Sequence, residues 1–152
     1  MYKKLCINCG LCLKQCTALC EDNLQVVIKE IVCWSNDKET RLSCSSGGAF
    51  FEIAKKFILN NGVVYGAAFS SPYAVEHIRA SKVETLENIK GSKYIQSSIC
   101  NSIKLLKLDL DNGKNVLFSG TPCQVAAVKS LFGNYKNLYL VDVICYGFIS
   151  NG

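Results

Sequence analysis

The sequence predicts an α/β protein in which a short cysteine-rich segment precedes a partly parallel α/β domain. Apolar residues recur at helical spacing in several segments, strand-like apolar runs alternate with those segments, and four cysteines cluster near the start. The chain has 152 residues, of which 49% are hydrophobic and 19% charged, so it is long enough to bury one core. We therefore expect a cysteine segment over 1–22, a connector over 23–44 and the α/β domain over 45–152.

Cys6, Cys9, Cys12 and Cys16 have the spacing C-x2-C-x2-C-x3-C, by which bacterial ferredoxins bind iron–sulfur clusters. Two residues between thiolates let a short turn bring the sulfurs together, and Gly10 permits a backbone conformation that a side chain would obstruct. A zinc site or a disulfide knot are the alternatives, but tetrahedral zinc sites usually pair two separated C-x2-C hooks. The spacing favours a 4Fe-4S cluster and electron transfer.

The fourth ligand of this cluster is left open by the sequence. In two-cluster ferredoxins the fourth cysteine of such a run binds the other cluster. One run is present here, Cys20 is the nearest additional thiol, and Thr17 stands where the ferredoxin run normally has proline. The fourth ligand is therefore Cys16, Cys20 or a more distant residue, and the number of clusters stays open too.

The connector over 23–44 is expected to combine a strand-like piece with the polar stretch 35–39. The turn Ser45-Ser46-Gly47-Gly48 follows, and then apolar residues recur at helical spacing over 49–59 until Asn60-Asn61-Gly62. This pattern predicts a capped helix. Free amides at such a helix start bind phosphate, although serine and glycine also simply begin helices.

Two strands are predicted next, over 63–69 and 74–80, with Ser71-Pro72 marking a turn between them. They are expected to form a hairpin. His77, the one histidine of the sequence, lies in the second strand without an evident base nearby, so the sequence favours a structural role for it.

Ser81-Lys82-Val83-Glu84 has the form of a capping box and predicts a short helix that ends near Gly91. A further helical stripe covers Ile99 to Leu110 and is closed by Asp111-Asn112-Gly113.

The last predicted elements are a strand over 115–118, a helix up to about Phe132 and a strand over 138–145. Thr121 is the expected N-cap of the helix, and Pro122 its first residue. Strand, helix and strand in this order predict a parallel βαβ unit, with its ligand crevice at the carboxyl ends of the strands.

Cys123 is predicted at the second position of that helix, beside the crevice. The terminal amides and the macrodipole of a helix stabilise a thiolate there, which suits a ligand, a redox thiol or a nucleophile. A buried structural cysteine is the alternative. Cys33, Cys44, Cys100 and Cys145 fall in no spacing motif and are expected to be inert packing residues, with Cys145 at a strand end as the first exception.

The charge and the start of the chain narrow the functional class. The net charge of +5 is dispersed over single lysines, whereas nucleic-acid binding calls for a denser basic stripe. The start at Met1-Tyr2-Lys3-Lys4 has no apolar signal region, and no apolar segment approaches the roughly 20 residues that span a bilayer. We expect a cytoplasmic protein with free thiols, without nucleic-acid binding and without a membrane span.

Five ordered motifs resemble the coenzyme F-420 hydrogenase/dehydrogenase beta-subunit family over nearly the whole chain. They are Ser-Ser-Gly-Gly-Ala-Phe (45–50), Gly-Val-Val-Tyr-Gly-Ala-Ala-Phe (62–69), Lys-Gly-Ser-Lys-Tyr-Ile-Gln-Ser (90–97), Phe-Ser-Gly-Thr-Pro-Cys-Gln-Val-Ala (118–126) and Val-Asp-Val-Ile-Cys-Tyr-Gly (141–147). The resemblance implies an iron–sulfur flavoprotein that passes electrons between a 4Fe-4S cluster, a bound FAD and an acceptor such as coenzyme F-420 or ferredoxin. A redox partner protein or a small-molecule acceptor is implied as well.

The resemblance also implies the site residues of a flavin-binding domain over 45–152. Candidate flavin contacts are Ser45, Ser46, Gly47, Gly48, Lys93, Tyr94 and Gln96. The crevice loop supplies Gly120, Thr121, Pro122, Cys123 and Gln124. Among these, Lys93 and Cys123 are the candidates for a chemical role, since a lysine near the flavin would stabilise its anionic reduced form.

The sequence departs from the family pattern in three places. It has one cysteine run where the family typically has two, it has Tyr146 where the family usually has histidine, and it ends soon after a predicted core strand, which leaves the expected sheet incomplete. A non-enzymatic iron–sulfur electron-transfer module and an inactive truncated paralogue are therefore the alternative functions.

Overall fold

The structure is a computed structural model, and it describes residues 28–147. Ten elements lie in this range in the order α1 (Lys38–Ser43), α2 (Ala49–Leu59), β1 (Val63–Ser71), β2 (Ala74–Ala80), α3 (Val83–Ile89), β3 (Ser97–Ser98), α4 (Cys100–Asp111), β4 (Val116–Gly120), α5 (Pro122–Phe132) and β5 (Leu138–Asp142). The predicted cysteine run and its ligands Cys6, Cys9, Cys12 and Cys16 fall outside the described residues.

The strands form one mixed five-stranded sheet in the order β3-β2-β1-β4-β5. β1 and β2 pair antiparallel as the predicted hairpin, whereas β1 with β4, β4 with β5 and β2 with β3 pair parallel. The α/β class and the parallel βαβ unit of β4, α5 and β5 are therefore confirmed. Because β2 and β3 run opposite to the others, the amino end of β3 meets the carboxyl ends of β4 and β5 at one sheet edge.

Hydrophobic clusters cover both faces of the sheet. One cluster joins β1 and β4 to α4 and α5, with Tyr65, Leu106 and Phe118 completely buried. The other joins α2 and α3 to the sheet and includes Ala54, Val64 and Leu86. Burial of this apolar surface is the main force that holds the layers together.

Three boundary predictions need correction. The polar stretch after Ser35 enters a helix, α1, whose N-cap Asp37 accepts a hydrogen bond from the Thr40 amide at 2.7 Å. The strand-like piece predicted from residue 23 begins outside the described residues, and residues 28–34 are irregular. The predicted capping box before α3 does not form, because Lys82 is the N-cap and no side chain caps the helix.

The last predicted strand is shorter than expected. β5 ends at Asp142, and Val143 to Cys145 leave the sheet although they are apolar. β5 is an edge strand of the described sheet and is only half buried. An apolar run alone does not set the end of such a strand, because pairing with a neighbour does.

A buried carboxylate ties the hairpin to α4. Asp109 accepts a hydrogen bond from the Tyr65 hydroxyl at 2.7 Å and two from the Arg79 guanidinium at 2.6 and 3.0 Å. It also forms an ion pair with the Lys114 ammonium at 3.2 Å. Burial acts to raise the pKa of Asp109, but these donors outweigh it and hold the pKa at about 2. Burial raises the pKa of Tyr65, and the hydrogen bond to Asp109 raises it further.

No helix among residues 28–147 could cross a membrane, the longest being α4 with 12 residues.

Replacing Asp109 with asparagine should lower the free energy of unfolding by about 3 kcal/mol, because Arg79 would lose its buried counter-charge. The folded-state pKa of Asp109 lies below its unfolded value, so its stabilisation is present above about pH 4 and is lost as the pH falls towards about 2. Urea denaturation at several pH values measures both effects. Asp111→Asn is the matched control, since Asp111 is exposed, and equal losses in the two variants would refute the assignment.

Candidate cofactor cavity at the sheet edge

A cavity of about 720 Å³ opens at the carboxyl ends of β4 and β5. Its floor is formed by Ala67 of β1, His77 of β2, and Ser119 and Gly120 of β4. The parallel pairing of β1 with β4 ends at Tyr65 and Phe118, so the two strands separate just before the floor. This is the topological switch point of the sheet, the place at which open α/β sheets bind ligands.

One wall of the cavity is the turn before α2. Gly48 is the N-cap of α2 with φ +79°, a left-handed conformation that favours glycine, and no side chain caps the helix. A Cβ atom on Gly47 would lie 3.0 Å from Cβ of Trp34 and 3.2 Å from the Cys33 carbonyl oxygen. The glycines therefore allow the connector to approach the turn closely and leave the first-turn amides of α2 uncapped by side chains.

Ser35 fixes the connector against this wall. It is 1% exposed, its amide donates to the Gly47 carbonyl at 2.7 Å, and its hydroxyl donates to the Glu52 carboxylate at 2.5 Å. The Arg41 guanidinium donates to the Ser35 carbonyl at 2.9 Å. Sequence reasoning missed this residue, since a serine in a polar stretch carries no sign of a burial that depends on distant partners.

The opposite wall is the loop of residues 90–96. The Lys93 ammonium donates to the carbonyl oxygens of Ile89, Lys90 and Gly91 at 2.6, 2.8 and 3.1 Å, and burial lowers its pKa. The Ser92 amide donates to the Ser45 hydroxyl at 2.7 Å, which joins this loop to the turn before α2. Lys93 and Ser45 thus shape the cavity through contacts with the protein itself.

The third wall is the start of α5, where Thr121 is the N-cap and Pro122 the first residue, as predicted. The Gln124 side chain accepts a hydrogen bond from the Thr121 amide at 3.1 Å and donates to the Ser97 carbonyl and hydroxyl, both at 2.9 Å. Gln124 therefore locks the helix start to the amino end of β3. Cys123 is exposed, and its Sγ lies 3.1 Å from the Thr121 hydroxyl.

Eleven of the twelve residues predicted for the flavin site meet at this cavity. Those that line it are Ser45, Ser46, Gly47, Gly48, Lys93, Tyr94, Gln96, Gly120, Thr121, Cys123 and Gln124. Pro122 does not line it and begins the helix instead. Their roles towards a ligand stay predictions, although the structure brings together motifs that are up to about eighty residues apart in the chain.

Two further features were not anticipated. Cys33 and Cys44 were expected to be packing residues, but both line the cavity beside Cys123, and so does Cys145, the expected exception. Cys33 and Cys145 are exposed, whereas Cys44 is half buried and burial raises its pKa. His77 lines it too. Within residues 28–147 no group of histidine, cysteine and acidic side chains is compact enough to hold a metal ion.

The charged side chains of the described lining are both lysines. Lys90 and Lys93 are its basic side chains, and the described lining contains no aspartate or glutamate. Lys90 pairs with Glu87 at 3.0 Å and lies 4.5 Å from the centre of the Phe51 ring. Together with two helix starts, this arrangement favours a ligand that carries negative charge.

The fold and the cavity thus define an α/β domain with a ligand-sized crevice at its switch point. Comparison with solved structures relates it to a chain from the xenon-derivatised F420-reducing [NiFe] hydrogenase complex of Methanosarcina barkeri. The TM-score is 0.60 at 21% sequence identity, and the match covers 78% of this chain and 44% of that chain. No protein-family model and no curated protein matches the sequence. The likeness shows a shared fold, which is related to that of a hydrogenase subunit.

Gln124→Glu should loosen β3 while leaving the start of α5 capped, because a carboxylate can still accept from the Thr121 amide but cannot donate to the Ser97 carbonyl, whose oxygen it would repel. Hydrogen–deuterium exchange is expected to speed up at Ser97 and Ser98 and to stay unchanged in α5. Gln124→Ala removes the hydrogen bonds to both Thr121 and Ser97, and it should therefore speed up exchange in both α5 and β3. Equal exchange of Ser97 and Ser98 in the wild type and both variants would contradict the proposed lock.

Proposed function

We propose that this chain is an iron–sulfur flavoprotein oxidoreductase that passes electrons between a 4Fe-4S cluster, FAD and an acceptor such as coenzyme F-420 or ferredoxin. The observation that carries the proposal is the cavity, which combines two helix starts, two lysines and no carboxylate in its described lining. It is supported by the fold shared with a chain of an F420-reducing hydrogenase complex. A protein partner, as in that complex, is part of the proposal.

The residues present fit a flavin nucleotide. A volume of about 720 Å³ is within the range of cofactor sites. Ser45, Ser46 and the uncapped amides at the start of α2 would hold a phosphate group. Apolar lining side chains would pack against a flat ring; they are Phe50, Ile89, Ile95, Val143 and Ile144.

A bound flavin would supply the exchange between two-electron and one-electron chemistry. The contribution of this chain is to orient and enclose it. The Ser45–Ser92 and Gln124–Ser97 hydrogen bonds hold the 90–96 loop at both ends, and the Val143 amide donates to the Gly120 carbonyl at 3.0 Å. These contacts fix three walls before a ligand enters, so little ordering is needed on binding.

The ammonium group of Lys93 contributes positive charge to the same wall. Its bonds to three carbonyl oxygens keep it in place beside the cavity, where its field would favour an electron-rich ligand. Cys123 at the helix start remains a candidate redox thiol. Cys6, Cys9, Cys12 and Cys16 would hold the cluster, as their spacing indicates.

Anaerobic purification should yield protein that carries iron, labile sulfide and FAD, all quantified on one sample. Cys9→Ser should lose iron and sulfide but keep flavin. Iron and sulfide without flavin, together with no binding of added FAD, would contradict the oxidoreductase and favour an electron-transfer module. Absence of all three would favour an inactive chain.

FAD should protect the cavity thiols from alkylation. Cys33, Cys123 and Cys145 are exposed and line the cavity, whereas Cys100 is exposed and does not line it. Anaerobic labelling with N-ethylmaleimide, followed by peptide mass spectrometry, should show at least several-fold slower modification of the three thiols in saturating FAD and an unchanged rate at Cys100. Equal protection of Cys100, or no protection of the three lining thiols, would contradict FAD binding in this cavity.

A further inference from the structure

His77 occupies the floor of the cavity at the point where β1 and β4 separate. It lies on β2 opposite Ala67 of β1, and it is 4% exposed. The small side chain of Ala67 lets the ring reach across β1, so that Nε2 lies 2.9 Å from the Ser119 carbonyl oxygen of β4. The ring stacks on Phe118 with centroids 5.0 Å apart and planes inclined by 12°. The imidazole is thus held in one orientation.

The contact with Ser119 assigns the protons of the ring. A carbonyl oxygen can only accept, so Nε2 carries the hydrogen and Nδ1 of the neutral ring has a lone pair. This Nδ1 is buried and has no hydrogen-bond partner. The Ser98 carbonyl of β3 is near enough to favour the protonated ring, but it makes no hydrogen bond of ordinary geometry with Nδ1.

Two carbonyl groups therefore face a ring that has one proton to donate. A lone pair and a carbonyl oxygen cannot bond, whereas an imidazolium could donate from both nitrogens. The surroundings oppose that charge, because burial lowers the pKa of His77 while the Ser119 and Ser98 carbonyls act in the opposite sense. The two carbonyl oxygens could both accept from an imidazolium. No described carboxylate contacts the ring to supply a compensating negative charge.

The charged groups around the cavity do not provide such a charge. The parts of β1, β3 and β4 next to the ring contribute Ala67, Ser98, Phe118 and Ser119, none of which titrates. On the same face, Tyr65 and Arg79 lie two residues along the hairpin, and both bond to Asp109 of α4, whose carboxylate is thereby already paired. Across the cavity, the titratable lining groups are two lysines, four thiols and two phenols: Lys90, Lys93, Cys33, Cys44, Cys123, Cys145, Tyr94 and Tyr146. Glu76 precedes His77 on β2 and, on alternating strand geometry, points away from the ring; its carboxylate lies 3.5 Å from the side-chain amide of Asn101, at the start of α4.

We propose that His77 takes up a proton at Nδ1 when negative charge enters the cavity, and that it thereby compensates the charge of a reduced flavin. The inference rests on the function proposed above. The proton comes from solvent, one N–H bond forms at Nδ1, and the new donor turns to the Ser98 carbonyl. His77 exchanges no electrons; these come from the cluster or from a chemical reductant. It is a positioning residue that acts through electrostatics.

The test uses the fact that His77 is the one histidine of the sequence. Its imidazole Cε1–H signal can be followed by NMR across a pH titration without assignment of other histidines. We expect a titration below the ordinary histidine range in the flavin-free protein, a shift to higher pH with FAD bound, and a further shift after anaerobic reduction with dithionite. A titration that is the same in all three states would overturn the inference while leaving flavin binding established. Failure to bind FAD, read from absorbance on the same samples, would overturn both.

His77→Gln provides the second measurement. A glutamine amide can still donate to the Ser119 carbonyl, but it cannot gain a proton. The variant should bind oxidised FAD about as well as the wild type, and its flavin reduction potential should depend less on pH. Ser81→Ala, at an exposed position outside the cavity lining, is the control and should keep the wild-type dependence. The same pH dependence in His77→Gln and the wild type would overturn the inference.

Discussion

The parallel pairing of β1 with β4 stops at Tyr65 and Phe118, and the cavity exists because it stops there. Beyond this point β1 continues as a hairpin with β2, while β4 ends at Gly120 and turns into α5. The backbone groups at the split need other partners, since unpaired buried carbonyls are costly. His77 provides one of them by donating to the Ser119 carbonyl. A ligand crevice and a buried histidine are thus two results of one change in strand pairing.

The walls of the cavity depend on contacts between segments that are distant in sequence. Ser35 holds the connector on Gly47, Ser45 holds the 90–96 loop, and Gln124 holds β3. Much of the polar side-chain chemistry of the candidate motifs is therefore used to build the cavity. Removing one such partner would leave a buried or half-buried polar group without a hydrogen bond. These side chains therefore have a structural role in the cavity wall that does not require a ligand.

The charged groups of the core differ from those of the cavity lining. Asp109, the buried carboxylate, lies in α4 among Tyr65, Arg79 and Lys114, where it is fully paired. The described cavity lining contains lysines but no carboxylate. An anionic ligand would therefore meet the uncapped amides of α2 and no described carboxylate in the lining, whereas the carboxylate of Asp109 is paired within the core.

The sequence by itself determined the helices and strands whose signals are local: helical periodicity for α2 and α4, turn residues for the hairpin, and Thr121-Pro122 for the start of α5. It also indicated the crevice edge, because the order of a βαβ unit decides where strand ends lie. Tertiary structure alone decided that β5 stops at Asp142, that Ser35 is buried, and that His77 faces two carbonyl groups. Each of these depends on a partner across the fold, and no local pattern records the distance between segments that meet only after folding.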